Sequence, residues 1–275
     1  MGHVKSRYVG QTEFKKLYHY ENFKAEHLSA MLRDMRIHCS NPANFNDPWD
    51  CDPWFDDKGL EDPRVLQDLL DHQLRNFPDG LTPTQRQLYE HKLRSRSYER
   101  VNLLAGYSEE NIATIRKRRI YCLTPFPDLT LMWSHYAEKH KGICLEFGID
   151  NPLLRMALEV LYPEKYPVWL PHQFENDHDS AIEMILTKAE PWKYEREFRI
   201  ISSYNNDKDT AGALYVENDC FALPPNALQS VIAGCNADYD AVKAIVKAHM
   251  PSLLVKRAIR IQTQFNLEIL AENEL

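Results

Sequence analysis

The chain has 275 residues, long enough for one large domain or two small ones with a sizeable core, and its 44% hydrophobic and 27% charged content is that of a globular protein. A formal net charge of −7 argues against a protein that coats nucleic acid non-specifically over its whole surface. Nine glycines, with no G-x-G-x-x-G and no G-x-x-x-x-G-K-[ST], offer no Rossmann or P-loop phosphate cradle.

The N-terminal MGHVKSRYVG carries no apolar core of a secretion signal, and no run of about 18 apolar residues occurs. The cysteines at 39, 51, 122, 144, 220 and 235 form no C-x-x-C pair. A cytoplasmic protein without membrane contact is therefore expected, with reduced, mostly buried thiols and no cysteine-built zinc site. KKLYHY reads as a first strand. Leu28, Met31, Leu32 and Met35 follow at the i, i+3, i+4, i+7 spacing of an amphipathic helix. RIHCS returns as a strand, and NPANFNDPWD reads as a loop because its prolines and asparagines favour turns. That loop ends in a crowd of Asn46, Asp47, Pro48, Trp49, Asp50 and Asp52. It could be an Asx-turn with Trp49 packed against it, a magnesium site using Asp47, Asp50 and Asp52, or a contact for an organic ligand.

From about 54 to 120 the chain reads as a helical insertion in a single α+β domain spanning 1–275. Asp62-Pro63 gives an N-cap with proline at the first helical position, followed by an apolar stripe of Val65, Leu66, Leu69, Leu70 and Leu74; Thr82-Pro83 repeats the start signal. The basic stretches HKLRSRSYER and IRKRRI fit a solvated helix face or a local patch for an anionic ligand. IYCLTPF resumes the core. Asp128 can then cap a short helix with Leu129, Met132, Trp133 and Tyr136 on one face, closed by Gly142. Core packing is the default role of Trp133 and Tyr136. His135 and His140 do not make H-E-x-x-H, and the neighbours Ser134 and His135 point apart on a helix, so a nucleophile there has little support. GICLEFG alternates as a strand. SAIEMILTKA reads as a helix leading to a strand KYEREFRIISS. A strand LQSVIAG, a helix DYDAVKAIVKAHM and a strand VKRAIRIQTQFNLEIL complete an α+β chain of short strands.

On a strand through YEREFR, Glu195, Glu197 and Arg199 would share a face. Like charges at that spacing repel, so the arrangement calls for an exposed edge or a use. One use is glycosidic chemistry, in which a carboxylate stabilises an oxocarbenium-like transition state, a second orients the acceptor, and Arg199 holds a carboxylate ionised or binds phosphate.

LYHY, NPANFNDPWD, LMWSHYAEKHKGICLEF and KYEREFRI, in this order, resemble a bacterial family catalogued as domain of unknown function 2971, over about residues 17–250. More loosely, the opening strand, helix and short strand are similar to ADP-ribosyltransferase-type folds, including the DNA-targeting toxin branch and RNA 2′-phosphotransferases. This likeness implies a short-stranded ADP-ribosyltransferase-like core and NAD as substrate. It implies Glu197 or Glu195 as catalytic carboxylate, Tyr18 or His19 on the ribose side, Trp133 or Tyr136 stacked on nicotinamide, and Asn46, Asp47 and Arg199 shaping the cofactor pocket. It also implies a nucleic-acid or protein acceptor and a toxin or phage-defence setting. Two other classes remain open: a metal-dependent nuclease or phosphodiesterase using Asp47, Asp50 and Glu197, and a non-catalytic sensor that binds a partner through the 54–120 block.

Overall fold

The computed structural model describes residues 6–52, 54–55, 63–64, 67, 71, 81–94, 112–113, 115–169, 178–204, 214–216 and 218–274. In chain order the first elements are β1 (Lys16–Glu21), α1 (Ala25–Asp34), β2 (Arg36–His38), β3 (Trp54–Phe55), α2 (Pro83–Arg94) and β4 (Arg118–Leu123). Next come α3 (Thr130–Tyr136), β5 (Ile143–Gly148), α4 (Pro152–Arg155), β6 (Leu158–Glu159), β7 (Val168–Trp169) and α5 (His178–Ile185). The chain ends with β8 (Phe198–Tyr204), β9 (Leu214–Val216), β10 (Cys220–Ala222), β11 (Leu228–Ala233), α6 (Tyr239–His249), β12 (Leu254–Arg260) and β13 (Leu267–Ala271). It is a mixed α+β protein, and no helix among the described residues is long and apolar enough to cross a membrane.

Two compact units form. The first comprises Met1–Asn41, Arg118–Tyr162 and Glu190–Leu275; the second comprises Pro42–Lys117 and Pro163–Ala189. The first unit is built on a sheet ordered β1-β5-β11-β12-β13. Its pairs are antiparallel except β11–β12, which is parallel and takes α6 as the crossover such a pair requires. Period-two alternation sorts the side chains between two cores. Leu17, Leu145, Phe147, Val231 and Val255 pack with Leu28 and Leu32 of α1 and Val242 and Val246 of α6. Tyr18, Tyr20, Cys144, Ile232 and Ala258 turn to the opposite face, under Met132 and Trp133 of α3. Glu146 lies on that second face, 2.5 Å from both Lys16 Nζ and Lys256 Nζ and 3.0 Å from Ser230 Oγ, so its buried charge is matched by two cations and a hydroxyl.

A second sheet, β4-β8-β6 with β9 on β8, joins β1 through backbone bonds between Tyr18 and Thr124 of 2.7 and 2.9 Å. The single C-terminal strand expected from VKRAIRIQTQFNLEIL is a hairpin, because the chain turns between Ile261 and Asn266, where Ile261 N–H donates to Asn266 O at 3.1 Å.

In the second unit β3 and β7 pair in parallel. The Thr82-Pro83 start is realised at α2: Thr82 N–H donates to Gln85 Oε1 and Gln85 N–H to Thr82 Oγ1, at 2.9 and 3.3 Å. The expected stripe from Val65 to Leu74 lies outside the described residues. IRKRRI is not one helix face: from Arg118 it is strand, and Arg119 Nε pairs with Asp219 at 2.6 Å.

Candidate active site

The acidic stretch does not run as one strand. Glu190–Glu195 is a 3-10 helix, Arg196 takes a left-handed backbone with φ of 47°, and β8 begins only at Phe198. That break separates the two carboxylates, and each gains its own partner. Glu195 Oε1 accepts from the Tyr136 hydroxyl at 2.8 Å, and the Glu195 carbonyl accepts from Thr124 Oγ1 at 2.6 Å. Since Thr124 is bonded to Tyr18, the first strand, the end of β4 and helix α3 converge on Glu195. Glu197 is gripped by Arg199 through two bonds of 2.7 and 2.9 Å, while its backbone N–H donates to Tyr162 at 2.9 Å. Glu195, Glu197 and Arg199 are 1%, 2% and 0% exposed. Polar groups sealed this far from water need partners: Glu197 and Arg199 form an ion pair, and the Glu195 carboxyl accepts from a hydroxyl.

Tyr18 and His19 face opposite sides of the sheet, as neighbours on a strand must. Tyr18 joins the α3 side, where Glu195 and Tyr136 lie. His19 joins the other side, stacked on Tyr121 with centroids 4.2 Å apart. His19 Nδ1 lies 2.7 Å from the Cys122 carbonyl and therefore carries the proton. Burial lowers its pKa to about 4, so the ring is neutral near pH 7. Two residues along the same strand, burial lifts the Glu21 carboxyl to about 7. Among the described residues the buried Tyr121 hydroxyl has no hydrogen-bond partner. Glu21 was missing from the sequence candidates. Its only sequence signal is its shared parity with Leu17 and His19, because a glutamate closing a strand otherwise reads as solvent-exposed.

Trp133 is wholly buried, donates Nε1–H to Pro127 O at 2.9 Å and meets the Tyr20 ring edge-on at 5.1 Å, which makes it a wall of the α3 side. Helix α3 stops at Tyr136, before Gly142, and Asp128 is not its N-cap; Leu129 occupies that position. Beyond it Glu138, Lys139 and His140 are all left-handed, with φ of 47°, 56° and 69°. Each such residue costs roughly 1–2 kcal/mol, so the surroundings must hold this strap in place. They do: Asn236 N–H donates to His140 O, and His140 N–H to Trp133 O, both at 3.0 Å. A side chain at Gly234 would put its Cβ 2.2 Å from that same His140 carbonyl. The strap sets His140 Nε2 3.1 Å from Ser134 Oγ, a pairing across six residues that helix geometry alone does not suggest.

Asn46 and Asp47 belong to the second unit. Asn46 is exposed. Asp47 Oδ1 accepts the Trp49 N–H at 3.0 Å, an Asx-turn. Asp50 is buried, accepts from the Cys51 thiol and has Lys188 Nζ at 3.8 Å. The Asp52 carbonyl accepts from Tyr166. Trp49 is 62% exposed and forms no core, contrary to the packing expected of it, since the turn points its ring to solvent. Among the described residues, no group of three or more His, Cys, Asp or Glu side chains is arranged to hold a metal ion.

No family model, no curated protein and no solved structure matches the chain.

Proposed function

We propose that the first unit is an ADP-ribosyltransferase-like core that cleaves the nicotinamide–ribose bond of NAD and passes ADP-ribose to a macromolecular acceptor. The observation that carries this reading is the clamp on Glu195, in which Tyr136 holds the carboxylate and Thr124 ties its backbone to the first strand. In the reaction the C–N bond breaks with its electron pair leaving on nicotinamide, positive charge grows on the ribosyl carbon, and an acceptor nucleophile closes the new bond as its proton departs to water. Glu195 sits in a surrounding of low dielectric, so its negative charge acts strongly on a cation forming nearby. Tyr136, half-buried and polarised by that carboxylate, presents its phenol toward the sugar, and Tyr18 and Tyr136 supply rings on the same side for nicotinamide. The Arg199–Glu197 pair fixes the backbone beside Glu195.

The test is nicotinamide release from NAD. Glu195→Gln is expected to lower it by about 100-fold or more, on the scale of losing one preorganised electrostatic stabiliser. Full activity in both Glu195→Gln and Glu197→Gln, or no release by the wild-type protein, overturns the assignment.

A further inference from the structure

A cleft of about 920 Å³ opens in the first unit between the strap carrying His140, the loop at Asn236 and the β12–β13 hairpin. It lies within the roughly 300–1,000 Å³ range of ligand clefts. Arg257 and Arg260 line it. The Arg257 guanidinium stands 5.5 Å over the Tyr239 ring, which holds it extended without neutralising it. Among the described residues neither arginine forms an ion pair, although acidic side chains outnumber basic ones in this chain by 40 to 33. Burial first, and the nearby Arg260 second, disfavour protonation of His140. Positive charge is thus gathered in a cleft whose lining, among the described residues, includes no carboxylate.

Its lining also includes several amides and one aromatic ring. Asn236, Gln264 and Asn266 are amides, each offering both donors and acceptors. Phe265, at the tip of the hairpin, is 101% exposed. An aromatic ring held fully in water beside two guanidinium groups that form no ion pair among the described residues is a combination that binds unpaired nucleotides: the ring stacks on a base, the arginines meet phosphates, and the amides reach base edges. A duplex keeps its bases stacked on one another and has no use for the ring. We propose that this cleft binds a single-stranded nucleic acid, with phosphates on Arg257 and Arg260 and a base on Phe265. None of the groups that clamp Glu195 lines this cleft, and the proposal does not depend on NAD chemistry.

The experiment is fluorescence anisotropy of labelled 12-nucleotide single-stranded DNA and RNA with the full-length protein, over a salt series. Binding is expected to weaken steeply with salt. Arg260→Glu is expected to weaken it across all sequences and flatten the salt slope by about one unit. Phe265→Ala should cost roughly 5- to 150-fold at constant salt slope, the worth of one stacked base. Both side chains are exposed, so unchanged circular dichroism and melting temperature will show that the variants fold. The proposal is overturned if neither oligonucleotide binds at low salt, if both variants bind as the wild type does, or if a duplex or AMP competes as well as the single strand. Nicotinamide release without oligonucleotide is a separate readout, so failure of either reading is seen independently.

Discussion

Glu21→Gln offers a sharp test of the β1 environment. In the folded chain burial raises this carboxyl from 4.5 to about 7. The folded state therefore favours the protonated form, and Glu21 costs stability progressively as pH rises through that window. At about 1.36 kcal/mol per pKa unit, the cost relative to a neutral side chain is about 1.4 kcal/mol at pH 5.5 and about 3.4 kcal/mol at pH 8.5. Glutamine has the same shape and never ionises. The advantage of Glu21→Gln over the wild type should therefore grow by about 2 kcal/mol across that range, measured by urea unfolding at the two pH values. The wild type alone would hide the effect. His19, lowered by burial from 6.5 to about 4, carries the opposite sign, because its stabilisation is present above its unfolded pKa and is lost as pH falls toward 4. Between pH 5.5 and 8.5 it contributes about 1.4 kcal/mol in favour of the higher pH, offsetting most of the Glu21 penalty. An advantage for Glu21→Gln that is equal at both pH values would refute a desolvated carboxyl at this position.

Further substitutions probe the rest of the site. Arg199→Met leaves Glu197 buried without its guanidinium and should destabilise by about 3–5 kcal/mol; adding Glu197→Gln should recover much of that in urea melts, as expected when the cost lies in an unpaired charge. Tyr136→Phe deletes the donor to Glu195 and should cost about 1–3 kcal/mol of stability, with a parallel fall in nicotinamide release. Gly234→Ala drives a methyl into the His140 carbonyl, and should lower the melting temperature more than Gly10→Ala, whose nearest new contact is at 3.2 Å on a flexible arginine.

Much of the fold was legible in residue order. The strands read from KKLYHY and GICLEFG, the stripe from Leu28 to Met35 and the Thr82-Pro83 start each became the expected type of element, because these signals act within a turn or two of chain. The YEREFR stretch was misread as a strand from its start because its sequence alternates. Arg196 breaks that alternation with a left-handed backbone that no local residue preference announces. The turn inside the last strand was missed for a related reason, since Ile261–Asn266 contains neither glycine nor proline.

The sequence by itself determined the α+β character, the absence of Rossmann and P-loop glycine motifs, and the chemistry available along β1, α3 and β8. Only the tertiary structure decided which groups meet. Tyr18 and His19 are adjacent in the chain yet serve opposite cores, because a strand throws neighbouring side chains to opposite faces. Glu195 meets Tyr136 across 59 positions, Ser134 meets His140 around a left-handed strap, and Glu21 gains its raised pKa from burial. Local propensity acts over a few residues, whereas desolvation and charge pairing depend on what the whole unit brings to one place.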